Sequence, residues 1–82
     1  MPVSETDSVE RIARVLAGQR LSSNAEGRQD SAAADVDDAW PQYVDDAVAV
    51  LRTMREPDKA MAAAGDPGIW ERMVLAALSG RE

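Results

Sequence analysis

Residues 54–73 read MREPDKAMAAAGDPGIWERM, and the two prolines in that stretch decide the fold. Without Pro57 and Pro67 the segment reads as one alanine-rich helix, alanine being the strongest helix former. Pro57 disfavours helical geometry at Glu56, so the helix arriving from Trp40 ends there. A short helix over Asp58 to Ala64 follows, and Gly65 stops it. Asp66 then suits an N-cap, because its carboxylate accepts orphan N–H groups, and Pro67 suits the first turn, where its missing N–H has no helical partner. The last helix runs to about Leu78 and ends at Gly80. The two breaks make a corner that folds the last helix back on the second.

The flanking periodicities are helical as well. Trp40, Tyr43, Val44, Ala47, Val48, Leu51 and Met54 form a wide apolar face, broadened by Val50, on a second helix that opens at Trp40-Pro41. Asp45 and Asp46 in its early turns and Arg52 and Arg55 near its end suit the helix dipole. Trp70, Met73, Val74, Ala77 and Leu78 share one face of the last helix, with Ile69 beside it. In the first helix, Val9, Ile12, Ala13 and Leu16 recur at i, i+3, i+4, i+7. Ser4 and Asp7 have capping-box spacing, Asp7–Arg11 and Glu10–Arg14 are acid-first i,i+4 pairs, and Gly18 stands where a C-terminal stop is expected. Between them, QRLSSNAEGRQDSAAADVDDA (19–39) has no sustained period and reads as a long, mobile, acidic loop. Leu21 and Val36 are candidates to pin its ends, and a short helical turn fits near Ala32 to Asp38.

The expectation is an all-α single domain over 1–82, a small bundle of three main helices and one short one. Its parts are helix one within 4–18, the loop 19–39, helix two 40–56, the short helix and turn 57–65, and the last helix 66–80.

Composition narrows the function. The chain has 82 residues, no cysteine and no histidine. Disulfide and thiolate chemistry are excluded, and the commonest general base and metal ligand is missing. Leu, Ile, Val and Phe together supply 15 residues, near the ~20% level that separates globular from disordered chains, while alanine alone supplies 15. So little large apolar mass makes a homodimer one way for the chain to gain burial. The net charge of −6 disfavours phosphate-backbone binding. No apolar run approaches the ~20 residues of a membrane span. The opening MPVSETDSVER carries acids where a secretory signal carries positive charge, so the expected location is the cytoplasm.

Each candidate site has a plain competitor. A DNA-reading helix-turn-helix over 58–79 fails because Gly68, Glu71, Arg72, Leu75 and Ser79, expected to face outward, include one base and no Asn or Gln for base edges. An EF-hand register from Asp35 puts Trp40 where glycine is needed, so no metal site is expected. Asp45 and Asp46 diverge by about 100° on a helix and cannot share a proton. Ser22, Ser23, Ser31 and Thr53 have no histidine partner, and Lys59 reads as exposed; no catalytic residue, enzyme activity or cofactor is expected. Trp40, Tyr43 and Trp70 read as a shared core bracketing the second and last helices, with a ligand or peptide groove as the alternative. Met54, Met61 and Met73 suit adaptable fillers of that space. Arg55-Glu56 before Pro57 is either a local ion pair at the corner or the polar centre of a binding surface. The acidic edge Asp37, Asp38 and Asp45 joins Arg55 and Glu56 as the candidate interaction surface.

VERIAR (9–14), WPQY (40–43), AVAVLRTMREP (47–57), AMAAAG (60–65) and WERMVLAAL (70–78) together resemble a family. It is the small uncharacterised proteins of alphaproteobacteria and of phages or prophages of those hosts. The link Asp66 to Ile69 is shorter here than in the family pattern. The resemblance implies a bacterial or phage-associated cytoplasmic setting and no activity, cofactor or catalytic residue. The functional expectation is therefore a non-enzymatic protein-interaction or accessory module with an unknown protein partner and no direct contact with nucleic acid or membrane. The alternative is an acidic regulator of a basic or nucleic-acid-binding partner.

Overall fold

The structure, a computed structural model, describes residues 3–25 and 32–81. Every regular element among them is helical, as expected: α1 (Ser8–Ala25), α2 (Ala32–Ala39), a 3-10 turn (Trp40–Tyr43), α3 (Val44–Met54), α4 (Lys59–Ala64) and α5 (Pro67–Ala77). The chain forms two compact units, Met1–Ala47 and Val48–Glu82, and α3 runs across their boundary.

In the first unit, α1 lies against α2 and the 3-10 turn. Its fully buried stripe is Val9, Ala13 and Ala17, joined by Ala47 from α3. Ile12 and Leu16, expected inside, are half-buried at its margin. The start of α1 differs from the expected capping box. Asp7 itself is the cap: its Oδ1 accepts from Glu10 N at 2.8 Å. Ser4 closes a separate small turn, its Oγ accepting from Thr6 N at 3.2 Å.

The expected loop 19–39 is largely helical. Gly18 does not end α1, which continues to Ala25, and Ala32–Ala39 forms α2. The rest of that loop, 26–31, lies outside the described residues. Gly18 is an interior helical residue, and a Cβ built on it would sit 3.7 Å from Val36 Cγ2. Packing of α2 there overrides the local cost of glycine in a helix. A Cβ at that distance makes ordinary van der Waals contact. Gly18→Ala is therefore expected to raise stability by about 0.5–1 kcal/mol. A thermal melt of the variant checks this; a drop in Tm would place Gly18 in a left-handed stop instead.

The second helix does not begin at Trp40-Pro41. The helical run already starts at Ala32, and Pro41 falls inside it. A proline there removes one amide donor and its ring crowds the preceding turn. The chain answers by tightening into 3-10 geometry over Trp40–Tyr43, with Val44 N–H bonded to Pro41 O, before α3 resumes.

In the second unit the expected punctuation is present. α3 ends at Met54, and Arg55 N closes on Arg52 O at 3.3 Å. Asp58 caps α4, its Oδ1 accepting from Met61 N at 2.9 Å, and Gly65 follows as C-cap. Asp66 caps α5 by accepting from Gly68 N at 2.8 Å and Ile69 N at 3.1 Å, with Pro67 in the first turn. Gly80, at φ 84°, closes the turn after α5 in the left-handed region that favours glycine. Val48, Val74 and Leu78 are the buried side chains here. Leu75, expected to face outward, is half-buried.

The interior differs from the aromatic core expected. The buried residues are all aliphatic and mostly small, and both tryptophans are half-buried. Each indole is engaged within its own unit, Trp40 under Arg14 and Trp70 at the end of α3.

Candidate functional site

The corner that opened the sequence reading is closed by a side chain. Trp70 sits one turn into α5, and its Nε1–H donates to Met54 O at 2.6 Å. That carbonyl belongs to the last turn of α3, where helical acceptors have no partner of their own. One hydrogen bond thus satisfies an orphan carbonyl and holds the two limbs of the corner. Arg55 Nε and Glu71 Oε2 lie 3.8 Å apart nearby, both about half exposed, so this ion pair adds little.

With the limbs held, the corner leaves an apolar concavity of about 350 Å³. Pro57, Met61, Pro67, Ile69, Trp70 and Met73 line it. Ile69 is 47% exposed and Met73 62%. These residues were expected beside or within the core, and the structure places them outside. A surplus of apolar residues is legible in the sequence, though not which stripe is left open. Ile69 and Met73 stand at i and i+4, one position ahead of the inward pair Trp70 and Val74. The last helix therefore carries more apolar circumference than one buried face needs.

A second, more polar depression of about 230 Å³ lies beside it, lined by Arg55, Glu56, Pro57, Pro67, Gly68 and Glu71. Of the five residues expected to form the interaction surface, Arg55 and Glu56 stand here. Arg55 faces Glu71 rather than Glu56.

The other three belong to the first unit. Asp37, Asp38 and Asp45 are all exposed. Asp37 is committed to an internal contact, its Oδ1 accepting from Arg14 NH1 at 2.6 Å. Arg14 also donates from Nε to Glu10 Oε2 at 2.8 Å, as the i,i+4 spacing foretold, and its guanidinium carbon lies 5.4 Å from the Trp40 ring centroid. The fork of a guanidinium suits two carboxylates and an aromatic face at once. Its hydrogen bonds to Asp37 first, then to Glu10, raise the Arg14 pKa above its ordinary value. This cluster ties α1 to α2 and the 3-10 turn.

Charge divides as sharply as structure. Met1–Ala47 holds ten acidic side chains against four arginines, whereas Val48–Glu82 holds five acids against five bases. The whole net charge of −6 is carried by the first unit, and the apolar concavity sits in the neutral one.

Among the described residues, no group of three or more acidic side chains is placed to hold a metal ion, and no helix is long and apolar enough to cross a membrane. Thr53, one of the hydroxyls considered as a nucleophile, donates to Ala49 O within its own helix at 3.0 Å. No protein-family model, curated protein or solved structure matches this chain.

Proposed function

We propose that the chain is a small non-enzymatic interaction module that receives an apolar side chain of a protein partner in the corner concavity. The observation that carries this is the exposure of Ile69 and Met73 beside a concave, largely apolar surface. Large apolar side chains grouped on a surface mark contact sites, and a pocket that desolvates an anchoring side chain is where binding energy concentrates. A cysteine-free chain needs no oxidising compartment, and the cytoplasm is its proposed setting. The sequence pattern around Arg55-Glu56-Pro57 and Trp70 adds a proposed bacterial or phage-associated origin.

The alternative, an acidic regulator of a basic partner, is favoured by one observation: the excess of ten acids over four arginines in the first unit. The two readings place the contact on different residues. A photo-crosslinking amino acid at Ile69 in the native host is expected to yield adducts with a protein partner, and one at Asp45 none. Adducts from Asp45 alone would overturn the apolar reading in favour of the acidic one; no adduct from either position would overturn both.

A further inference from the structure

We infer that Met73 and Met61 form an oxidation site in the wall of the corner concavity, where a peroxide converts thioether to sulfoxide and closes the site to apolar groups; this rests on reading the concavity as a docking site.

The sulfurs of the chain are gathered in one place. The sequence has no cysteine and four methionines, three of them within residues 54–73. The fourth, Met1, lies outside the described residues. Peroxides oxidise sulfur, and without a thiolate the thioethers are the sulfurs they meet. Met73, 62% exposed, and Met61, half-buried, both line the concavity. Met54 is 40% exposed but does not line it; its carbonyl holds the Trp70 indole. Exposure thus orders the reaction as Met73, then Met54, then Met61.

The step is a two-electron oxygen transfer. A lone pair on sulfur attacks one oxygen of hydrogen peroxide, the O–O bond breaks, and the sulfur keeps that oxygen as S=O. The proton on it passes to the departing hydroxide, which leaves as water. Sulfur is oxidised and the peroxide reduced, with no other reactant.

The other walls decide what the new oxygen does. Only Trp70 and Asp66 bring polar side-chain groups to the concavity. The Trp70 indole N–H is already given to Met54 O at 2.6 Å. The Asp66 carboxylate accepts from Gly68 N and Ile69 N, and a carboxylate has no proton to donate. No wall side chain has a free donor for the sulfoxide, so its oxygen stays bound to water. An apolar group entering the concavity would strip that water and leave a strong acceptor unpaired, which weakens binding about tenfold or more. The buried residues of 48–81 are Val48, Val74 and Leu78, so the polarity of the wall changes while the packed interior does not. Sulfoxide reductases reverse the change.

The neutral solvatochromic dye prodan serves as the apolar probe. The parent chain is expected to bind it, with shifts of the Met61 and Met73 methyl signals in NMR. After hydrogen peroxide, mass spectrometry of peptides is expected to show Met73 oxidised fastest. Dye binding is expected to fall about tenfold or more while the helical circular dichroism is kept, and to return after treatment with methionine sulfoxide reductases. A Met61→Leu/Met73→Leu variant is expected to bind the dye before and after peroxide, and Met54→Leu to behave like the parent. Unchanged dye binding by the oxidised parent would overturn the switch and leave the docking role standing. Loss of helix on oxidation, or loss of binding by the oxidised double variant, would also overturn it. A parent chain that never binds the dye at the two methionines would count against the docking role itself, and the inference would fall with it.

Discussion

Leu78→Ala is expected to destabilise the chain by about 2–5 kcal/mol, the cost of deleting a buried leucine and leaving a cavity. Leu78 is fully buried and caps α5, its own N–H bonded to Val74 O at 3.0 Å. It is one of very few large side chains removed from water in Val48–Glu82. The substitution keeps the backbone bond and removes only the packing. Small domains hold roughly 5–15 kcal/mol in all, so the loss consumes a large share of the total. Urea titration measures it. Met73→Ala in the same helix is expected to fall within about 0.5 kcal/mol of the parent under those conditions, as an exposed surface substitution. Equal losses at both positions would mean that the two stripes of α5 are not divided into buried and exposed.

The second large effect lies in the other unit and comes from adding atoms. Ala13→Leu is expected to cost about 1–3 kcal/mol, because a fully buried alanine leaves no room for extra carbons without forcing its neighbours apart. Val9, Ala13 and Ala17 line the buried stripe of α1, and their smallness lets α2 and the 3-10 turn approach. Val15→Leu, at a position 62% exposed on the same helix, is expected to change little. A neutral or stabilising Ala13→Leu would show that α1 stands farther from its neighbours than described.

How much of this was legible follows from how local each cause is. Pro57, Asp58 and the Asp66-Pro67 pair act within a turn of themselves, so the corner and its caps can be read from residue identity. Gly18 and Pro41 also signal locally, and both mislead. The α1 helix passes through Gly18 because Val36 of α2 lies over it, and the helical run passes Pro41 by tightening to 3-10 geometry. Neither rescue is visible in a window of a few residues. The same holds for the site. Asp37 is on an outward edge, as read, but its contact with Arg14 spans 23 residues and leaves no local mark. Trp70 was read as core, but its polar tip finds a backbone carbonyl 16 residues away, and a carbonyl leaves no mark in a sequence. Ile69 and Met73 carry the same apolar pattern whether a helix face is covered or open, so periodicity alone placed them beside or within the core. Helical class was therefore readable; which apolar stripe is left uncovered was not.

The account turns on the corner being fixed by the indole of Trp70, which lines the concavity and bonds to the last turn of α3. Hydrogen exchange at the Trp70 indole N–H, followed by NMR and assigned with a Trp40→Phe variant, tests this directly. The bond to Met54 O at 2.6 Å predicts an indole proton protected from solvent, exchanging many times more slowly than an unprotected indole. Exchange of the Trp70 proton at the unprotected rate, in a chain that is otherwise folded, would mean that Trp70, a wall of the concavity, is not held in place, and would contradict the docking role.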